Sequence, residues 1–245
     1  MTDHARIAAA FAHARDYDRH ARVQRKVAEE LADRIAALPL PSSPRVLEIG
    51  CGTGFLTQAL HTRGLRGEWL VTDIAPAMVE RCRTRMAGAP GMTFAELDGE
   101  YGTPECGPFD LICSSLALQW FDDAPAALER MRGWLTPGGH VMAATLGEGS
   151  FAEWRAAHAA EGLTAGTPPF PPASAFTGAS VQRNAEQHSG AREFLHALKA
   201  IGAGTADPAH RPLSPRALRR VMARFDASGA SVTYEVVTCH LTRVS

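Results

Sequence analysis

Glu48, Gly50, Gly52, Gly54, Asp73 and Asp98 are residues whose types and spacing could do chemistry in this chain. The first four lie in "RVLEIGCGTGFLTQAL", residues 45–60, where an apolar run stops at three closely spaced glycines and helix-forming residues take over. A glycine turn between a strand and a helix lets backbone N–H groups approach a ligand that any β-carbon would hold away. The spacing is G-x-G-x-G, and Phe55 stands where the dinucleotide fingerprint requires its third glycine. Glu48 counts against a pyrophosphate as well, because an acid repels a diphosphate and attracts a cationic ligand. The ten histidines show no H-x-x-x-H or H-E-x-x-H spacing and the five cysteines no C-x-x-C pair. No metal is therefore expected, and the cysteines read as reduced and mostly buried.

The elements that position these residues follow from periodicity. Residues from about Asp3 to Leu38 read as one helix, with Val23, Val27, Leu31 and Ile35 on one face. Pro39, Pro41 and Pro44 end it before a strand, Arg45 to Ile49. Strands are then expected at Glu68 to Thr72, Met92 to Leu97, Phe109 to Ser115 and His140 to Leu146, alternating with helices at Phe55 to Thr62, Pro76 to Met86 and Ala124 to Leu135. Regular alternation implies a doubly wound α/β core, since parallel strands need crossover connections. Beyond about Ser150, "SGAREFLHALKAIGA" and "SPRALRRVMARF" read as helices, the second with Ser214 as N-cap and Pro215 at its first position. The closing "ASVTYEVVTCHL" is expected as an edge strand beside Ser180 to Gln187.

Composition sets the outer bounds. A chain of 245 residues with 45% hydrophobic and 21% charged residues suits one globular domain with an appended lobe. No apolar run approaches the ~20 residues of a spanning helix, and the start of the sequence lacks a signal-peptide core, so a cytoplasmic protein is expected. A formal charge of −1 gives no reason to expect nucleic acid or a membrane as partner.

The pattern E-x-G-x-G-x-G followed by Asp73 in "VTDIAP", Asp98 in "AELDGE" and the turn "LTPGGH" resembles the class I S-adenosylmethionine-dependent methyltransferases. The resemblance implies a seven-stranded, mostly parallel Rossmann-like sheet with an antiparallel last strand. It also implies an S-adenosylmethionine site, with S-adenosylhomocysteine as product, built from Glu48, Gly50, Cys51, Gly52, Gly54, Asp73, Ile74, Asp98, Gly99 and Ser115. In that site Glu48 and the glycines lie at the amino-acid end, Asp73 on the ribose hydroxyls and Asp98 near the adenine.

"SSLALQW" (114–120), "TLGEGS" (145–150), "LKAIGA" (198–203) and "AAAFAHARDYDRHARVQ" near the N-terminus together resemble the malonyl-[acyl-carrier protein] O-methyltransferases of biotin synthesis. One departure is a shortened stretch between "PFPP" and "SGAREF". The implied layout is an N-terminal helical lid (1–40), a cofactor-binding core (41–150) and a substrate-side lobe with a small helical insertion (151–245). The implied reaction is methylation of a malonyl thioester carboxylate carried on the carrier protein or coenzyme A. That carboxylate is already ionised at neutral pH, so no general base is needed. Tyr17, Gln119 and Trp120 are the candidates for the reaction centre, Arg155 and Lys199 for the substrate carboxylate. Arg216, Arg220 and Arg224 share a helix face suited to docking an acidic carrier. Rival readings are another small carboxylate or a quinone precursor as acceptor, a non-catalytic S-adenosylmethionine-binding protein, and a nicotinamide oxidoreductase.

Overall fold

Strands buried on both faces read as near-continuous apolar runs, and this is how β1 (Arg45–Ile49) and β4 (Phe109–Ser115) are written and placed. The structure is a computed structural model that describes residues 4–12, 17–201, 203 and 210–244. With β2 (Glu68–Asp73), β3 (Met92–Glu96), β5 (Leu135–Leu146), β6 (Ala179–Gln187) and β7 (Ser231–Thr242), they form a seven-stranded sheet in the order β3-β2-β1-β4-β5-β7-β6. β7 alone runs antiparallel to its neighbours, pairing with β5 and β6. The other pairings are parallel. Strand order reverses between β1 and β4, so their C-terminal ends open the crevice in which α/β proteins hold ligands.

Nine α-helices occur among the described residues: α1 (His4–Ala12), α2 (Tyr17–His20), α3 (Arg22–Ala36), α4 (Phe55–Thr62), α5 (Pro76–Arg85), α6 (Ala124–Arg132), α7 (Ala152–Ala159), α8 (Ala191–Ala200) and α9 (Pro215–Ala227). Alternation along β4 separates the two layers: Leu111 and Cys113 pack with α3 and α4 on one face, Ile112 with α6 on the other. The expected stripe Val23, Val27, Leu31 and Ile35 is buried. Ser214 caps α9 by accepting from Ala217 N–H at 3.3 Å. Among the described residues no helix is long and apolar enough to cross a membrane.

The structure corrects three sequence expectations. The single helix expected over residues 3–38 is broken at Ala21, whose φ of −85° and ψ of 48° separate α2 from α3, and Thr53 of the glycine turn donates to Asp18 of α2. Helix α6 stops at Arg132, and Leu135 already pairs with Phe109 in β5, so "LTPGGH" begins a strand. β7 lies inside the sheet and β6 takes the edge, where Ser180, Val181, Arg183, Ala185 and Gln187 are exposed. The polar groups of β7 tolerate this position because they find partners: Glu235 accepts from Gly149 N–H at 3.1 Å and from Arg183 at 2.8 Å. The stretch after "PFPP" holds one 3₁₀ turn (Ala173–Ala175) and then β6.

Candidate active site

The turn from β1 to α4 is held by Cys51 N–H to Thr72 C=O and Gly54 N–H to Cys51 C=O, both 2.8 Å. Gly50 and Gly54 have φ of +70° and +90°, in the left-handed region. A β-carbon at Gly50 would meet Ala117 Cβ at 2.3 Å, and one at Gly54 would meet Cys82 Sγ at 2.8 Å. Gly52 differs: nothing lies within 4 Å of where its β-carbon would be, and the residue lines a cavity at the C-terminal ends of β1 and β4.

Three acids line the same cavity. Glu48 is 1% exposed and accepts from Thr57 Oγ1 at 2.7 Å. Burial pushes its carboxyl well above the usual glutamate value, with the Cys82 sulfur adding to the shift and the Thr57 hydrogen bond opposing it. Asp73, at the end of β2, accepts from Gly52 N–H at 2.9 Å and Ala75 N–H at 2.8 Å, one on each oxygen. Burial raises its carboxyl too, and the amides of Ala75, Gly52 and Ile74 oppose the rise. Asp98 behaves oppositely. Burial would raise it, but the His4 hydrogen bond at 2.9 Å and the amides of Tyr101 and Glu100 outweigh burial and hold it below the usual aspartate value.

Glu48 makes a testable contribution to stability. A carboxyl whose folded pKa is raised keeps its proton in the folded state while the unfolded chain loses it, so stability falls as pH rises toward that pKa. Thermal melts of cofactor-free protein should show Glu48→Gln gaining on the parent as pH rises above about 4.3, the unfolded glutamate value. Parallel pH profiles for the two proteins would contradict this.

The N-terminal helices cover the cavity. His4 on α1 reaches Asp98, and its other ring nitrogen lies 3.2 Å from Glu100. On α2, Asp18 accepts from Thr53 Oγ1 at 2.7 Å and pairs with Arg85 of α5. The Arg85 guanidinium sits 4.7 Å from the centre of the Phe55 ring, and Phe55 lies 6.2 Å from Tyr17. Phe11 bridges Tyr17 (6.5 Å) and Trp120 (5.6 Å). Tyr17 is enclosed, and burial first, then Asp73 and Asp18, push its phenol far above its ordinary value, so it stays neutral.

A second cavity of about 770 Å³ adjoins the first. Phe11, Tyr17, Gln24, Leu116 and Trp120 line both, forming a common wall. Beyond it the lining is chiefly apolar, with Phe151, Trp154, Phe170, Leu198 and Tyr234, and carries Lys199, His158 and His210. Burial lowers the His158 pKa, favouring neutral imidazole.

Of the other predicted residues, Cys51, Ile74, Gly99 and Ser115 line the first cavity. Gly54 lies behind it against Cys82. Gln119 lines the second cavity and donates to Leu116 C=O at 2.6 Å. Arg155 lines neither cavity: its guanidinium donates to the carbonyls of Ser150 and Glu148. On α9, Arg220 and Arg224 both pair with Glu161, at 2.7 and 2.8 Å. Sequence reasoning missed His4, Asp18, Thr53 and Arg85, whose partners lie far away along the chain. It also missed the apolar wall of the second cavity, where the residues carry an ordinary core pattern.

Comparison with known proteins adds to this geometry. A model described as "Methyltransferase domain" matches residues 46–139. The biotin biosynthesis bifunctional protein BioCD of Bordetella avium is 45% identical over 225 residues, covering 89% of this chain and 48% of that one. The chain thus spans about half of that relative. The malonyl-[acyl-carrier protein] O-methyltransferase of Magnetococcus marinus is 39% identical over 250 residues, covering 97% of this chain and 92% of that one. Among solved structures, the YcgJ protein of Bacillus subtilis matches with a TM-score of 0.60 at 13% identity, over 88% of this chain and 99% of that one, a likeness of fold.

Proposed function

Because this chain belongs to the malonyl-[acyl-carrier protein] O-methyltransferase family, we propose that it esterifies the free carboxylate of a malonyl thioester in an early step of biotin synthesis. The observation that carries this reading is that the two cavities share lining residues, so that a group held in one would lie beside a nucleophile held in the other.

The first cavity suits S-adenosylmethionine. Gly52 leaves open space where a side chain would project, and Glu48 is a buried acid whose ionised form a nearby cation would favour. Glu48, Gly50, Cys51, Gly52, Asp73, Ile74, Asp98, Gly99 and Ser115 would hold it, with Gly54 setting the turn. When bound, the cofactor supplies a methyl group on a sulfonium centre. The chain's own residues then position and exclude. Asp73 fixes the turn and keeps lone pairs for sugar hydroxyls. Tyr17, Phe11 and Trp120 keep water from the shared wall, which strengthens electrostatics inside it. The acceptor carboxylate needs no base, so a neutral Tyr17 serves as wall and hydrogen-bond donor. Helices α1 and α2 act as a lid, latched through His4 and Asp18.

The second cavity is larger than a malonyl group needs, and its apolar lining suits the pantetheine arm common to carrier-protein and coenzyme A thioesters. Lys199 is the proposed partner for the acceptor's charge. Arg216, Arg220 and Arg224 are proposed to dock an acidic carrier, Glu161 holding the last two in place while offsetting one of their charges. Reversing Arg216 and Arg220 to glutamate should raise KM for malonyl-carrier by about tenfold through lost steering. The KM for malonyl-coenzyme A should stay unchanged, and equal effects on both would remove the docking surface. The deciding experiment for the activity is transfer of labelled methyl from S-adenosylmethionine to malonyl-carrier, with growth of a biotin-requiring host lacking this step as its genetic counterpart. Absence of labelled methyl ester from a protein that binds the cofactor would end the reading.

A further inference from the structure

The second cavity holds a histidine whose ring is only half engaged. His158 of α7 is 3% exposed and lines that cavity. Its Nδ1 lies 2.9 Å from the Trp154 carbonyl, one helical turn back. A carbonyl oxygen only accepts, so Nδ1 carries the proton and Nε2 of the neutral ring keeps its lone pair. Among the described residues nothing bonds to that nitrogen. Nor is it sealed in, since the fully covered nitrogens without a partner are His4 Nε2, His61 Nε2, Arg130 Nε, Asn184 Nδ2 and His188 Nε2. In a side chain so deeply buried, the surface that Nε2 keeps is cavity surface. We propose that His158 is a specificity-determining residue: its Nε2 accepts a hydrogen bond from an amide N–H of the pantetheine arm that carries the malonyl group.

The contact rests on the function proposed above and names what the second cavity selects. A malonyl carboxylate has no donor, and Lys199, which can only donate, suits it. Pantetheine is different: its methylenes and geminal methyls are interrupted by two amides. The apolar parts suit Trp154, Phe170, Leu195 and Leu198, whereas each amide N–H loses water on entry and needs an acceptor. Gln119 on the same lining already donates to Leu116 C=O and accepts from Thr145 Oγ1. His158 Nε2 is free to accept.

Two features hold the ring in this role. The Trp154 ring meets the imidazole edge-on, with centroids 4.8 Å apart, and fixes its plane. The tautomer is locked by the helix backbone, so Nε2 distinguishes an N–H from a C=O. Burial lowers the His158 pKa, the Trp154 bond opposing and His210 adding, and the acceptor lone pair is kept.

The test uses acceptors that differ in amides: malonyl-pantetheine with two, malonyl-N-acetylcysteamine with one, and an S-propyl malonyl thioester with none. His158→Phe keeps a ring and removes the acceptor, and kcat/KM for malonyl-pantetheine relative to the S-propyl thioester should fall about tenfold, through KM. His158→Gln, which returns an oxygen near the place of Nε2, should recover most of that ratio. Loss shared by malonyl-N-acetylcysteamine puts the bond on the amide nearer the sulfur, and loss confined to malonyl-pantetheine puts it on the farther one. Malonyl-carrier and malonyl-coenzyme A bear the same arm, so both should lose about tenfold, and their parental KM values rank the two sources. Loss on one of these alone overturns the proposal. So does a parental ratio in His158→Phe, or an equal loss on all three small acceptors, the mark of a residue that only supports the fold. Calorimetric titration of malonyl-pantetheine and the S-propyl thioester into S-adenosylhomocysteine-loaded parent and His158→Phe reads the same ratio without turnover. A tenfold fall there in a protein that transfers no methyl group removes the proposed function and keeps the amide contact, whereas methyl transfer with a parental ratio does the reverse.

Discussion

Asp73→Ala should weaken S-adenosylmethionine binding by about a thousandfold while leaving the sheet folded. Two backbone amides, Gly52 and Ala75, donate to this one carboxylate at 2.9 and 2.8 Å. Hydrogen bonds to charged groups contribute about 1.5–3 kcal/mol each, so losing the pair frees the turn by roughly 4 kcal/mol. The same substitution removes the proposed acceptor for the sugar hydroxyls. Asp73→Asn keeps one acceptor oxygen and the side-chain shape, and should cost about tenfold. Calorimetric titration of both variants reads this directly. Parental affinity in the alanine variant would move the cofactor away from this turn.

Tyr17→Ala tests the wall between the cavities. Removing the ring opens a path for water between Phe11, Phe55 and Trp120, and kcat/KM for the malonyl thioester should fall by about a hundredfold or more. Cofactor affinity should change far less, since the turn is built from other residues. Tyr17→Phe separates ring from hydroxyl. It preserves the ring contacts and should keep most activity if exclusion is the main role, and should fall toward the alanine variant if the hydroxyl donates to the acceptor. An alanine variant with parental turnover would show that the wall is closed by other means.

Local signals carried the fold. The four-residue stripe of α3 and the proline and serine that open α9 are decided within a turn or two of chain, and these stand as read. The lining of the first cavity was legible for the same reason, since β1, its glycine turn and the acids at strand ends are local features of a βα frame. The lid was not. His4 meets Asp98 across 94 positions and Thr53 meets Asp18 across 35, and no periodicity links such pairs. Arg155 looked like a free cation in sequence, but the nearby carbonyls of Ser150 and Glu148 take up its donors. The position of β7 was misread because its polar residues suggested an edge. Glu235 is 4% exposed yet held by Gly149 and Arg183, so a buried charge with partners looks, in sequence, like a solvated one.

The insertion of β7 between β5 and β6 has a consequence for synthesis on the ribosome. Every residue lining the first cavity is translated by Phe121, whereas the lining of the second continues to Tyr234. The edge of β5 and all of β6 must therefore wait, unpaired, until β7 emerges and zips between them. A nascent chain can assemble the lining of the first cavity first, and that of the second only after Tyr234 has emerged. That interval exposes two strand edges at once, and there a trigger-type chaperone would have its greatest effect on yield.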